Sequence, residues 1–473
     1  MPGQGKSPRA WRPTETKLRT KNMISNTPRT LCAPSVLMGV LLAALATPAS
    51  AADLVQIYRD ALSNDASFAA ARASRDAGLE SLPQGRAGLL PTLSATAFTQ
   101  TNNVDILFRG AQANSSREGN SNGLTLTLTQ PLFNWASFMV YKEAGYKVAQ
   151  AEATYALAQQ DLIVRVAQAY FDVLAAQDTL DLTQAQKTAI SEQLAQAKRN
   201  FEVGTATITD THEAQARYDL SVSQGIAAES DLEVRQRVLQ QIIGKLPDAL
   251  APLRSSLQLS VPQPSAMEKW VQTAEQQNFS VRVQEAGLEI ANREIERLRS
   301  GHYPTLNMVG IMSGNSSSIA ATGIVNTNTD TNSRSIGLQL AVPLYAGGSV
   351  NSQVRQAVAL QEKARQDLES SRRTAALQAR QSYLGVTNGM AQVRALEAAL
   401  VSSQSSLDSN KLGYEVGVRI NIDVLNAQQQ LYSTKRDLSK ARYDTLISGF
   451  KLKAAAGSLT EEDVAKINVL LGQ

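Results

Sequence analysis

After residue 51 the chain has two histidines, His212 and His302, and neither has the company that catalysis or metal binding needs. His212-Glu213 opens like the His-Glu-x-x-His helix of zinc hydrolases, but Ala216 stands where the second imidazole would face the metal. Gly244-Lys245 lacks the upstream glycine and the following Ser or Thr that let a phosphate loop cradle a nucleotide. No cofactor, metal or enzymatic activity is expected, so any transport must draw its energy from partner proteins. Polar side chains also recur at two matching turns. Phe201-Glu202-Val203-Gly204 leads to Thr209 and Asp210, and Tyr414-Glu415-Val416-Gly417 leads to Arg419 and Asp423.

Those turns belong to a longer correspondence with an offset of about 213 residues. Leu90-Pro91-Thr92-Leu93 answers to Tyr303-Pro304-Thr305-Leu306, Gln130-Pro131-Leu132-Phe133 to Val342-Pro343-Leu344-Tyr345, and Gly244 to Gly457. Landmarks that keep register over such a distance indicate one folded unit used twice. Two copies are too few for a solenoid, so a pseudo-symmetric subunit is expected.

Residues 1–51 are expected to lie outside the mature fold. Met23, Arg29, the apolar run Val36 to Ala46 and Ala49-Ser50-Ala51 form a secretory signal, with cleavage expected after Ala51 and an upstream start before Met23. Cys32 precedes the apolar run, so lipid anchoring is not expected. This segment holds seven of the 46 Lys and Arg and one of the 42 Asp and Glu, leaving 39 bases against 41 acids. The apparent basicity disappears, and with it any reason to expect a nucleic-acid partner. The remaining 422 residues hold no cysteine, so an exported chain must fold by packing or oligomerisation instead of disulfides. No later stretch is apolar for about 18 residues, which excludes a transmembrane helix.

Proline placement divides the remainder. There is none between Pro131 and Pro247 and none after Pro343, and both stretches are rich in strong helix formers. The expected plan is repeat 1 over 52–245, a proline-rich linker over 246–265, and repeat 2 over 266–473. Each repeat should hold a helix (65–88; 278–301), a strand opening at Pro-Thr-Leu, a polar loop (102–121; 313–334), and a second strand ending at Pro131 or Pro343. A long helix (136–200; 348–412), a glycine turn and a return helix (209–243; 421–456) complete it. The long helix spans about 100 Å at ~1.5 Å per residue, close to the return and lead-in helices combined, at ~52 and ~36 Å. The two shorter helices should therefore stack end to end beside it, with the linker at their junction. Tyr383, Val386, Met390 and Val393 step by 3 and 4, as do Ile190, Leu194, Ala197 and Phe201, while Val424, Leu431 and Leu438 step by seven. These are coiled-coil seams.

The strands alternate. Leu124, Leu126 and Leu128 are interleaved with Thr125, Thr127 and Thr129, and Ile336, Leu338, Leu340 and Val342 with Gly337, Gln339 and Ala341. Strands of about ten residues with one apolar and one polar face suit a transmembrane barrel. Phe133, Trp135, Phe138, Tyr141 and Tyr345 cluster past the strand ends, as an interfacial aromatic belt would. Four strands cannot close a barrel without bare edges in lipid, so several chains must contribute: eight strands from two, or twelve from three. Eight would leave an interior filled by side chains, whereas twelve would leave a pore.

On the paired turns, the Val-Gly-x5-Asp spacing and the Pro-Leu-Tyr/Phe strand ends, the chain resembles the TolC family of outer-membrane efflux proteins over residues 52–472. The resemblance implies a mainly α fold with a small β part: a homotrimer whose 12-stranded transmembrane β-barrel, four strands per chain, continues into a long periplasmic α-helical barrel of antiparallel coiled coils. It implies an outer-membrane location with a large periplasmic part. The implied partners are outer-membrane lipid, a periplasmic adaptor and an inner-membrane pump or ABC exporter, for which the trimer is the exit duct in efflux or type I secretion.

The resemblance also implies site residues. Tyr414 and Arg419 would bond to the neighbouring turn through Asp210 and Thr209, holding a periplasmic gate closed until docking opens it. Asp423 would form a three-fold carboxylate ring in the entrance. Asn426 stands where some relatives carry a second acid, which weakens the expected field. Val203-Gly204 and Val416-Gly417 would be adaptor-contact tips. Locally, Thr209 and Asn421 stand where helix N-caps belong, and each glycine would end its helix in the left-handed conformation. Two other architectures would look different. A trimeric coiled-coil adhesin would keep its strands at one terminus, and a periplasmic helical scaffold would lack strands with a lipid face.

Overall fold

The computed structural model describes residues 52–107, 109–110, 115–254, 259–318 and 328–472. The signal segment and its cleavage point lie outside them.

Fourteen helices and strands follow one another among the described residues. The first repeat runs α1 (Leu54–Asn64), α2 (Ala66–Leu79), α3 (Ser81–Ala87), β1 (Thr92–Ile106), β2 (Ser115–Phe133), α4 (Trp135–Glu202) and α5 (Ile208–Ile243). The second runs α6 (Met267–Gln277), α7 (Phe279–Arg299), β3 (Thr305–Ser317), β4 (Thr329–Ala341), α8 (Ser349–Glu415), α9 (Asn421–Ala455) and α10 (Glu461–Asn468). The long helices α4 and α8, of 68 and 67 residues, each extend about 100 Å. Toward its N-terminus α4 is flanked by α2, α3 and α7, and toward its C-terminus by α5; α8 is flanked by α6 and α7 and then by α9.

The lead-in helix of the first repeat is broken where one helix over 65–88 was expected. Pro83 has no N–H to donate to Leu79, and its ring would crowd that carbonyl, so α2 ends at Leu79 and α3 restarts at Ser81.

The main core lies at the waist of the long helices. Leu162, Val166, Tyr170 and Phe171 of α4 are fully buried there with Leu54 and Ile57 of α1 and Leu239 and Ile243 of α5. Tyr443, Leu446 and Phe450 of α9 close the cluster. The linker is tied to this point: the Tyr170 hydroxyl donates to the Ala251 carbonyl at 2.8 Å. Ala52 bridges Leu250, and Leu253 bridges Leu471, so the linker runs between the first and last described segments. The expected seams are buried in order. Val386 and Met390 pack with Trp270 and Leu452, Val393 with Leu438, and Val424 and Leu431 with Leu407. Phe201 is the exception: it is exposed, and its seam ends at Ala197.

The strands form one antiparallel sheet in the order β1-β2-β3-β4. Register gathers the apolar side chains on one face. Leu93, Leu128, Gly310 and Ile336 form one row across the four strands, and Ala95, Leu126 and Met312 form the next, which ends on Arg334 in β4. Thr125, Thr127 and Thr129 share the opposite face with Thr96, Ser94 and Thr92, and Phe98, Val104, Val309 and Ile311 are apolar residues on it. Leu93 and Ile336 are 72% and 75% exposed, and among the described residues β1 and β4 have no strand on their outer edges. At 13 to 19 residues the strands exceed the expected ten, and they absorb much of the polar segments expected as loops. The reason lies in side-chain pairing: Ser121 bonds Asn102 and Ser317, and Ser313 bonds Ser333, so polar residues extend the ladder without apolar alternation. Parts of those segments, 108, 111–114 and 319–327, lie outside the described residues.

One buried carboxylate joins three helices. Asp65 closes α1 and caps α2, accepting from the Phe68 N–H at 2.6 Å, and it pairs with Arg165 of α4 at 3.0 Å. Burial works to raise its pKa, but the hydrogen bonds from Arg165, Ser67 and Phe68 prevail and hold it at about 2. A carboxyl held there contributes about 2 kcal/mol of stability, present above the unfolded value of ~3.9 and lost as pH falls toward about 2. Asp65→Asn keeps the cap but loses the charge. It should lower stability near neutral pH and flatten its dependence between about pH 4 and 2 relative to the parent, read from thermal loss of helical circular dichroism.

Candidate functional site

The sharp reversals between α4 and α5 and between α8 and α9 share one geometry. Val203 N–H donates to the Arg199 carbonyl and Val416 N–H to that of Leu412, both at 3.1 Å. Thr205 and Ala206 N–H both donate to the Asn200 carbonyl, as Val418 and Arg419 N–H do to that of Gly413. Gly204 and Gly417 sit at φ 78° and 79°, where a side chain would be strained. A Cβ at either would meet nothing within 4 Å, so backbone conformation and not crowding calls for glycine. Around them Val203 and Val416 are 72% and 64% exposed, with Val418, Ile420 and Ile208 also facing solvent. Each tip is therefore a small apolar knob.

The caps differ from expectation. Thr207, not Thr209, caps α5: its hydroxyl accepts from the Asp210 N–H while the Asp210 carboxylate accepts from the Thr207 N–H at 2.9 Å. This capping box engages Asp210 locally and leaves Thr209 exposed in the first turn. Asn421 is not a cap either. It is the first residue of α9 and is buried, accepting from Gln193 of α4 at 2.7 Å and donating to the Asp210 carbonyl at 3.5 Å. Ile420 holds the cap position without a side-chain bond.

Within the chain, the Tyr414 hydroxyl accepts from the Asn200 amide at 3.1 Å. Arg419 lies 3.6 Å from Asp423 one helical turn on, a solvent-exposed pair worth about 0.3–0.5 kcal/mol. Asn426 accepts from Arg217 of α5 at 3.0 Å. The two repeats differ here. A Cβ on Gly413 would come within 2.7 Å of the Arg419 stem, so the glycine makes room for that arginine. The first repeat has Asn200 and Ala206 at the corresponding places, and Asn200 reaches across to Tyr414 instead. Asn200, Gln193 and Arg217 were not identified from sequence; aligning the repeats residue by residue exposes the Asn200–Gly413 and Ala206–Arg419 exchanges.

His212 is exposed, and His302 meets Asn351 at 3.1 Å. Among the described residues no group of three or more His, Cys, Asp or Glu is placed to hold a metal, and no helix is long and apolar enough to cross a membrane.

Comparison with known proteins agrees with this layout. The family model for the outer membrane efflux protein matches residues 57–245 and 270–458, two segments themselves offset by the repeat distance. Outer membrane protein TolC of Vibrio cholerae is 34% identical over 430 residues, 90% of this chain and 96% of that protein. The proteases secretion protein PrtF of Dickeya chrysanthemi is 32% identical over 439 residues, 92% and 94% of the two chains. Among solved structures, the CmeC outer membrane channel of Campylobacter jejuni superposes with a TM-score of 0.75 at 17% identity, covering 88% of this chain and 89% of that one. With its duplicated helix pairs, its small exposed sheet and these matches over nearly its whole length, the chain belongs to the outer membrane efflux protein family and is an exit duct of the Gram-negative outer membrane.

Proposed function

We propose that three copies of the chain assemble into one duct for efflux or type I secretion, in which twelve strands close a barrel and the α4/α5 and α8/α9 pairs form the periplasmic tunnel. The observation that carries this is the sheet: one apolar, exposed face and two unpaired edges. Hydrocarbon offers no hydrogen bonds to those edges, so sister subunits must supply them. Three subunits give a pore, whereas two would give an interior filled with side chains. The strands fall two to each repeat, which is unlike an adhesin anchor at one terminus, and their lipid face is unlike a periplasmic scaffold.

The tips form the entrance. Tyr414 and Arg419 fasten the α8/α9 pair to a neighbouring turn carrying Thr209 and Asp210, and Asp423 rings the opening. Hydrogen bonds to charged groups contribute about 1.5–3 kcal/mol each, enough in small number to hold a tip inward yet few enough for a docked partner to offset. Val203-Gly204 and Val416-Gly417 present the apolar contacts for a periplasmic adaptor, which brings an inner-membrane pump or ABC exporter to the duct. The energy comes from that pump; the chain supplies the path.

Reconstituted in planar bilayers, Tyr414→Phe with Arg419→Ser should raise single-channel conductance several-fold, and parental conductance in this variant would remove the lock. Asp423→Ala should shift the reversal potential in a salt gradient toward weaker cation preference; an unmoved potential would place the selecting charge elsewhere.

A further inference from the structure

Between the tip of α4/α5 and the start of α9 lies a contact ladder that the gate residues only begin. Asn200 meets Tyr414 at the tip, and Gln193 and the Asp210 carbonyl hold Asn421 above it. Ile190, Leu194, Ala197 and Ala214 then bury Leu425. The last rung is Arg217, whose two terminal nitrogens donate to Asn426 at 3.0 Å and to Gln429. Ala214 and Tyr218, on either side of it along α5, belong to the apolar patch beneath, so the guanidinium lies at the edge of an apolar contact that joins the first helix pair to the start of α9.

We propose that Arg217 is a positioning residue of the entrance: it fastens α5 to α9 one turn beyond Asp423, and it adds an uncompensated positive charge at that level. This rests on the duct reading above. Two observations support the fastening. Arg217 presents a planar fork to two amide oxygens one helical turn apart on α9, a fit that the single point of a lysine ammonium cannot reproduce. Its acceptors lie across the groove from it, not on its own helix, so the bonds form only when the two helix pairs are together. The charge follows from the same geometry. Among the described residues both hydrogen bonds of Arg217 go to neutral amides, with no carboxylate in ion-pair contact, whereas Asp423 already has Arg419 beside it. The entrance of this chain thus carries a partly neutralised acid followed by an unneutralised base. Such a sequence of charges admits anionic solutes more readily than a bare acid ring.

Two substitutions separate fastening from charge. Arg217→Lys keeps the charge and loses the fork; it should raise the open fraction of single channels in planar bilayers at least about ten-fold, the scale of one lost charge-assisted contact, while leaving the reversal potential at the parental value. Arg217→Gln loses the charge as well and should also move the reversal potential toward cations. Parental open fraction in Arg217→Lys would overturn the fastening, and a parental reversal potential in Arg217→Gln would overturn the charge assignment. Because the chain has no cysteine after Cys32, Arg217→Cys with Gln429→Cys can be bridged by a short bis-maleimide without competing thiols. The bridged chain should run at single-chain mass on a denaturing gel, and bridged dimers would overturn placement of the tie within one subunit. These outcomes are distinct from failure of the duct itself, in which the parental protein would form no channel at all.

Discussion

A backbone N–H or C=O facing hydrocarbon must find its partner inside the protein, and that requirement governs this chain. Four strands expose an apolar face and leave β1 and β4 unpaired at their outer edges. Among the described residues no element covers those edges, so the β part calls for an assembly. The helices then inherit the assembly's symmetry. A helix pair that leaves each hairpin of the sheet must run beside the pair leaving the next, and a tunnel continuous with the barrel results. Length follows as well, since α4 and α8 extend about 100 Å from the sheet to the tips.

Duplication supplies the scaffold, and the departures from duplication supply the site. Both turns use the same carbonyl-centred bonds and a left-handed glycine. What differs is the pair of positions beside each turn. Asn200 with Ala206 builds a tip that reaches outward to its neighbour, and Gly413 with Arg419 builds one that folds a guanidinium over its own helix toward Asp423. The two pseudo-symmetric helix pairs thereby acquire unlike tips, as the proposed gate requires if only one pair is to move.

Much of this was legible in the sequence. Proline-free, alanine-rich stretches located α4, α5, α8 and α9 to within about three residues, because such helices are limited by their breakers and by glycine turns. The lipid face was legible where leucine alternates with threonine. It was not legible farther along β1 to β4, where Asn and Ser pair across strands and hydrophobic period carries no signal. Pro83 carried the break between α2 and α3, and it was passed over within a longer helical pattern. Thr209 and Asn421 both have the residue type of a cap, yet Thr207 with Asp210 forms the more complete box, and Asn421 is drawn inward by Gln193. Residue type marks candidates for a cap; only the neighbouring helix decides which polar group is free to serve.

Stability is graded along the long helices in the sense that a gate at the tips needs. Of the largest fully buried side chains, Tyr170, Phe171, Leu162, Val166, Leu239 and Ile243 all sit at the waist, while Val424 alone lies near the tips. There the linker also ties the first and last described segments to α4. Below the waist the burden passes to shallow seams, and at the tips to half-exposed polar contacts such as Asn200–Tyr414 and Arg419–Asp423. Segments that open at least cost are those with few buried apolar contacts and solvent-reachable hydrogen bonds. The exposed apolar knobs at Val203 and Val416 therefore lie at the least stable end of the long helices, far from the fixed waist. Under the proposed gating, the contacts from Tyr414 to Arg217 can release without disturbing the buried waist.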